Sequence, residues 1–159
     1  MSDDRRARIT GGPLHSELPH TFSVERTMTA SPPSIYEAWT QAFDSWFASP
    51  GALTMRPEVG APFWFEVLYE GNRIPHYGRF TALEPAKLIE LTWVTVKKGT
   101  DGAETVVRVE LTAAGAGTGA GTRLRLTHGG FYDAESARRH ADSWPGILEH
   151  LDDQLTRTG

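Results

Sequence analysis

Residues 122–155, TRLRLTHGGFYDAESARRHADSWPGILEHLDDQL, contain a change of hydrophobic period on which the fold turns. From Thr122 to His128 the period is two. Leu124, Leu126 and His128 share one side and Arg123, Arg125 and Thr127 the other, as in a strand with one buried face. From Asp133 onward the spacing becomes three and four. Ala137, His140 or Ala141, Trp144, Ile147 or Leu148, Leu151 and Leu155 form one apolar stripe, and Arg138, Arg139, Glu149, Asp152 and Asp153 fall elsewhere. Asp133 has the side chain of a helix N-cap. Pro145-Gly146 interrupts the stripe, and the missing bond from Pro145 to the Ala141 carbonyl predicts a kink, or two segments with Ser143 opening the second. A strand that aims His128 inward, followed by a long one-sided helix, calls for a sheet that the helix can cover.

Upstream lies the rest of such a sheet. Val107, Val109 and Leu111 alternate with Arg108, Glu110 and Thr112, and Ile89, Leu91 and Trp93 alternate with Glu90 and Thr92. Lys97 to Gly102 reads as a hairpin loop. Residues 113–121, AAGAGTGAG, read as a flexible hairpin tip: they lack the Lys-Ser/Thr of a phosphate loop and lead into a strand, not a helix. Phe63, Phe65, Val67 and Tyr69 form the apolar parity of a further strand, with Trp64 on the outside and a turn at Gly71-Asn72. Between Arg73 and Leu83, Pro75 indicates an edge or a bulge, and Phe80 and Leu83 share an inner face only if a bulge separates them. Before this meander, Ser31-Pro32-Pro33 opens a short helix with Ile35, Ala38 and Trp39 inward, and a second short piece holds Phe43, Trp46 and Phe47. A first strand begins at Thr21, with Phe22, Val24 and Met28 on one parity and Arg26 among them. Residues 1–19 are polar and without period, and are expected to be a disordered tail that includes the Arg5, Arg6 and Arg8 cluster. Residues 20–157 are expected to form one α+β domain: a curved antiparallel sheet of six or seven strands around one long helix, with two short helices after the first strand.

The chain has 159 residues, 23% of them charged, a net charge of −4 and no cysteine. Cysteine chemistry is thereby excluded, and a reducing compartment is suited; the expected location is the cytoplasm. The acidic balance speaks against nucleic acid as the main partner, and no apolar run reaches the length of a membrane span.

Four stretches resemble a known family. ASPPSIYEAW (30–39), GRFTALEPAKLIELTW (78–93), GTRLRLTHGGF (121–131) and His140-x-x-Ser143-Trp144 with Leu148 and Leu151 resemble, in that order, motifs of the START-like (SRPBCC) polyketide-cyclase and lipid-transport superfamily. Within it they resemble the subfamily named after the C-terminal domain of the activator of the heat-shock protein 90 ATPase. Ser143 stands where glycine is usual, Ala82 where an acid is common, and Pro145 is unusual in that helix. The resemblance implies a helix-grip fold with a cavity between sheet and helix. It implies no single activity, since carriers, cyclases, sensors and co-chaperone domains share the fold.

Trp39, Trp93 and Trp144, three of five tryptophans, fall on inward faces. They suit either a core or the wall of a site for a hydrophobic or aromatic ligand, with Phe65 and Leu148 beside them and Trp46 and Phe47 at its mouth. His128 and His140 share inward parity, joined by His76 if its strand is regular. Imidazoles there could bond a ligand, move protons, or be satisfied by backbone or water. Arg26 could receive a carboxylate, pair with an internal acid, or reach out to solvent. No spacing supports a metal site, no nucleophile motif is present, and Glu66, Glu70, Glu84 and Glu90 lie at outer parity or strand ends. The expectation is a ligand-binding carrier or sensor, monomeric or homodimeric, with no metal, no cofactor and no stable membrane association. A cyclase or hydrolase using His128 or His140, and a chaperone-partner domain, are the alternatives.

Overall fold

In the computed structural model, residues 18–96, 99–117 and 119–158 are described. The expected tail and its arginine cluster lie outside them, apart from Leu18 and Pro19; so do Lys97, Lys98 and Thr118. The elements, in chain order, are β1 (Phe22–Met28), α1 (Pro32–Thr40), a 3-10 turn (Phe43–Ser45), β2 (Leu53–Thr54), β3 (Pro62–Tyr69), β4 (Asn72–Glu84), β5 (Leu88–Thr95), β6 (Thr105–Ala113), β7 (Thr122–Gly129) and α2 (Ala134–Thr158). The strands form one seven-stranded sheet in the order β1-β7-β6-β5-β4-β3-β2, each pair antiparallel. The meander from β3 to β7 is therefore continuous in space, and β1 crosses back to pair with the last strand.

The alternation seen in the sequence becomes the inner face. Val107, Val109, Leu124, Leu126, Ile89 and Leu91 are all fully or nearly fully buried. They pack with α1 and α2 into one cluster that also holds Trp39, Phe43, Phe65, Phe80, Trp93, Trp144, Leu148 and Leu151. Trp64 is on the outer side, as its parity requires. Of the edge or bulge left open for β4, a bulge is found: the β4–β5 register shifts between Phe80 and Ala82, which lets both Phe80 and Leu83 pack on the core. Pro75 sits one residue beyond the last β4–β5 pair, His76 with Thr95, where its missing N–H breaks no ladder bond to β5. Its carbonyl accepts from Thr95 Oγ1 at 2.7 Å.

The sequence reading needs correction in three places. Helix α2 runs unbroken from Ala134 to Thr158, with Pro145 inside, and is not two segments. Ser143 does not start a second one; its Oγ donates to the Arg139 carbonyl at 2.9 Å. Trp144, Leu148 and Leu151 are buried on both sides of Pro145, so packing keeps the helix continuous despite the loss of one backbone bond. Asp152 is not on the solvent side. It lies two helical turns after Trp144 in the same row and is 4% exposed. Its carboxylate accepts from the Thr29 N–H at 2.8 Å and the Ala30 N–H at 2.9 Å, fastening α2 to the chain between β1 and α1. Glu90 has outer parity but is fully buried, accepting from Thr81 Oγ1 at 2.8 Å and from Arg108 Nη1 at 3.0 Å.

Candidate functional site

At the end of the sheet where β1 and β4–β5 pairing begins and β7 finishes, polar groups enter the apolar layer. The register puts Trp93 beside Thr105, Val107 beside His128, and His128 beside Phe22. Helix α2 lays Trp144 and His140 over them, one turn apart. The 3-10 turn and the irregular chain behind it bring Phe43, Trp46 and Phe47 against the same rings.

His128 is completely buried, and its bonds form a directed chain. The Trp144 indole Nε1–H donates to His128 Nδ1 at 3.1 Å. With Nδ1 thus the acceptor, Nε2 carries the proton and donates to Thr105 Oγ1 at 2.8 Å. The Thr105 hydroxyl in turn donates to the Trp93 carbonyl at 2.5 Å. Every lone pair and proton of this imidazole is occupied in its neutral form. Burial, with His140 nearby, holds its pKa well below the ordinary value. His128 thus fixes the two tryptophans relative to each other and has no proton to spare for a substrate.

His76 and His140 are built differently. The Nδ1 of His76 lies 3.2 Å from the Ile74 carbonyl, and that of His140 2.9 Å from the Ser136 carbonyl. A carbonyl only accepts, so both Nδ1 atoms carry the proton and both Nε2 atoms keep a lone pair. Burial drives the His76 pKa down to about 4, against the opposing pull of its bond to Ile74, with His140 adding repulsion. Burial also lowers that of His140, and Arg139 acts in the same sense. The imidazoles are linked through rings: His140 to His128 at 5.2 Å between centroids, His128 to Trp93 at 6.2 Å, Trp93 to His76 at 5.3 Å. Among the described residues no group of three or more His, Asp or Glu side chains is arranged to hold a metal ion.

Around this pole stands a continuous aromatic wall. Trp39 contacts Trp144 at 5.8 Å, Trp46 at 5.3 Å and Phe43 at 5.3 Å. Phe65 stacks on Phe43 at 4.9 Å and on His76 at 5.0 Å. Phe47 meets Phe65, His76 and Trp93 at 5.7 Å each, and Trp144 at 6.4 Å. Yet it is only half-buried and sits on irregular chain. The Trp46 indole donates to the Ala38 carbonyl at 2.9 Å, whereas the Trp39 Nε1–H is buried without a partner.

Most of the residues singled out from sequence therefore come together: Trp39, Trp46, Phe65, Trp93, His128, His140 and Trp144, with Leu148 a turn further along α2. Arg26 does not join them. It pairs with Leu124 in the register, toward the opposite end of β1, and its Nη2 lies 4.0 Å from Asp152 Oδ2. Thr105 and Phe131 were missed. The parity of Val107 and Val109, carried back two residues, reaches Thr105, so its inward position was available in the sequence. Phe131, 4.4 Å from His128 and 4.6 Å from His140, lies past the end of β7, where no period assigns a direction. A groove of about 580 Å³ opens instead on the outer face of β1, β7 and β6, lined by rows such as Glu25–Arg125–Glu110 and Thr27–Arg123–Thr112. Its walls are charged and hydroxylated and partly self-paired (Arg125 to Glu25, 3.7 Å), as on a solvated sheet face.

Comparison with known proteins agrees with this architecture. Among solved structures, the chain is similar to protein MLL2253 of Mesorhizobium loti, with 26% identity over 87% of this chain and 98% of the other and a TM-score of 0.68. The AHSA1 (SPO3351) protein of Silicibacter pomeroyi matches with 22% identity over 87% of this chain and 99% of the other and a TM-score of 0.69. DynU16, from the dynemicin biosynthetic locus, matches with 18% identity over 86% of this chain and 47% of the other and a TM-score of 0.67. The last two establish likeness of fold alone. No curated protein matches the chain significantly. The family model described as Activator of Hsp90 ATPase homolog 1-like protein matches residues 29–156, which span every element from α1 through almost all of α2. With that match over most of its length and a sheet closed on one long helix, the chain belongs to the Activator of Hsp90 ATPase homolog 1-like family.

Proposed function

We propose that this protein binds a small hydrophobic or aromatic molecule between sheet and helix, as a carrier or sensor in the cytoplasm, with the ligand's ring taking the position now held by Phe47. What supports this is the state of Phe47 itself. Its ring touches six others but is only half-buried, and the chain that carries it belongs to neither a strand nor an α-helix. Such a side chain can swing out at little backbone cost and leave a slot floored by Trp93 and Trp144 with His76 at its side. The unpartnered Trp39 N–H adds a donor behind this slot, where an unmet hydrogen bond otherwise costs stability. Displaced rings would be exchanged for ligand rings of the same kind, so little surface is newly exposed on binding.

The test is a titration followed by intrinsic tryptophan emission, because three indoles wall the slot. Flavonoids and polyketide-like aromatics are expected to shift or quench that emission saturably, and Phe47→Ala, by opening the slot, to tighten binding by about 5- to 10-fold. No saturable response from either the wild-type protein or Phe47→Ala, across the panel, would reject the reading.

A further inference from the structure

Resting on that reading, we infer that the ligand is a neutral hydroxylated aromatic molecule, whose O–H groups are received by the open Nε2 atoms of His76 and His140. Of three imidazoles at one end of the core, only His128 has both nitrogens bonded within the protein. His76 and His140 each spend Nδ1–H on a backbone carbonyl of their own strand or helix, and neither Nε2 has a hydrogen-bond partner among the described residues. The two rings stand on opposite layers, His76 on β4 and His140 on α2, with Trp93 and His128 linking them. His76 touches both Trp93 and Phe47, at 5.3 and 5.7 Å between centroids, and His140 lies near enough for its charge to act on His76, so a flat molecule in the place of Phe47 has one acceptor beside it and the second within reach of its far end.

An imidazole lone pair selects its partner by charge as well as by shape. It attracts a phenol or alcohol O–H and repels a carboxylate, and it gains nothing from an ether or a plain hydrocarbon. A site made to receive an O–H rejects the analogue lacking it more strongly than an apolar slot distinguishes one methyl group from none. The neutral state of both rings near pH 7, favoured by their burial, keeps these acceptors available.

The experiment compares 2-naphthol with naphthalene and 2-methoxynaphthalene, which bracket it in size and carry no donor. Binding of all three is followed by tryptophan emission at pH 7.5. In the wild-type protein 2-naphthol is expected to bind at least about 10-fold more tightly than either analogue, and His140→Phe, which keeps a ring in place, to reduce that preference to about 3-fold or less. Circular dichroism checks that the variant is folded; the comparison of ligands in the wild-type protein stands without it. Equal affinity for all three would overturn the inference and leave the apolar site intact. Binding of none would remove the site and the inference with it.

Discussion

Asp152 shows what one buried carboxylate does in this fold. It is an acid in the apolar row of α2, and it meets the main-chain N–H groups of Thr29 and Ala30 just before α1 begins. Removing it leaves the Ala30 N–H buried and unmet, and it deprives Arg26 of its nearest acid. Asp152→Ala is therefore expected to lower unfolding free energy by about 2 to 3 kcal/mol in urea titrations, the range for stranding buried donors. Asp153→Ala, one residue on and exposed, should change it by less than about 0.5 kcal/mol. Equal effects would show that the carboxylate does not hold the two elements together. The sequence carried a hint, since 144, 148 and 152 form one helical row, but a charged residue is ordinarily assigned to solvent, and only the partner from another element reverses that.

The elements were legible wherever a period was clean, as in β6, β7 and α2, and less so where backbone geometry departs from it. Two glycines illustrate the difference. Gly146 is exposed on α2, and a methyl group added there meets nothing within 4 Å. Gly146→Ala is expected to stabilise the protein by about 0.5 to 1 kcal/mol through helix propensity. A Cβ on Gly78, in contrast, would stand only 2.3 Å from the Thr92 carbonyl oxygen of the neighbouring strand. Gly78→Ala should cost about 2 kcal/mol or more, because strand backbone rather than a movable side chain must give way. Thermal melts of the two variants are expected to move in opposite directions. The continuity of α2 through Pro145 belongs to the same scale: the local rule foresaw a lost bond, while the residues packed on either side decide that the helix goes on.

For the whole molecule, the histidine pole ties stability to pH. His76, His128 and His140 all have lowered pKa values in the folded state, chiefly by burial. As pH falls below about 6.5, the unfolded chain takes up protons that the folded chain refuses, so stability falls until the folded pKa is passed, near 4 for His76. Above pH 7 their contribution is complete. Urea midpoints are expected to drop between pH 7 and pH 5, at up to about 1.4 kcal/mol per pH unit for each fully refused proton, and His76→Phe should flatten the slope. A midpoint unchanged over that interval would refute the assignment. The sequence by itself determined the fold class, the inward face of most strands and most of the rings that meet at the core, because these follow from periods of two and 3.6. Only the tertiary structure decided that His128 is fully satisfied while His76 and His140 each keep an open acceptor, that Arg26 stands apart from them, and that Glu90 and Asp152 are buried. Those outcomes depend on partners from distant parts of the chain, and a hydrogen-bond partner, unlike a hydrophobic stripe, leaves no period behind.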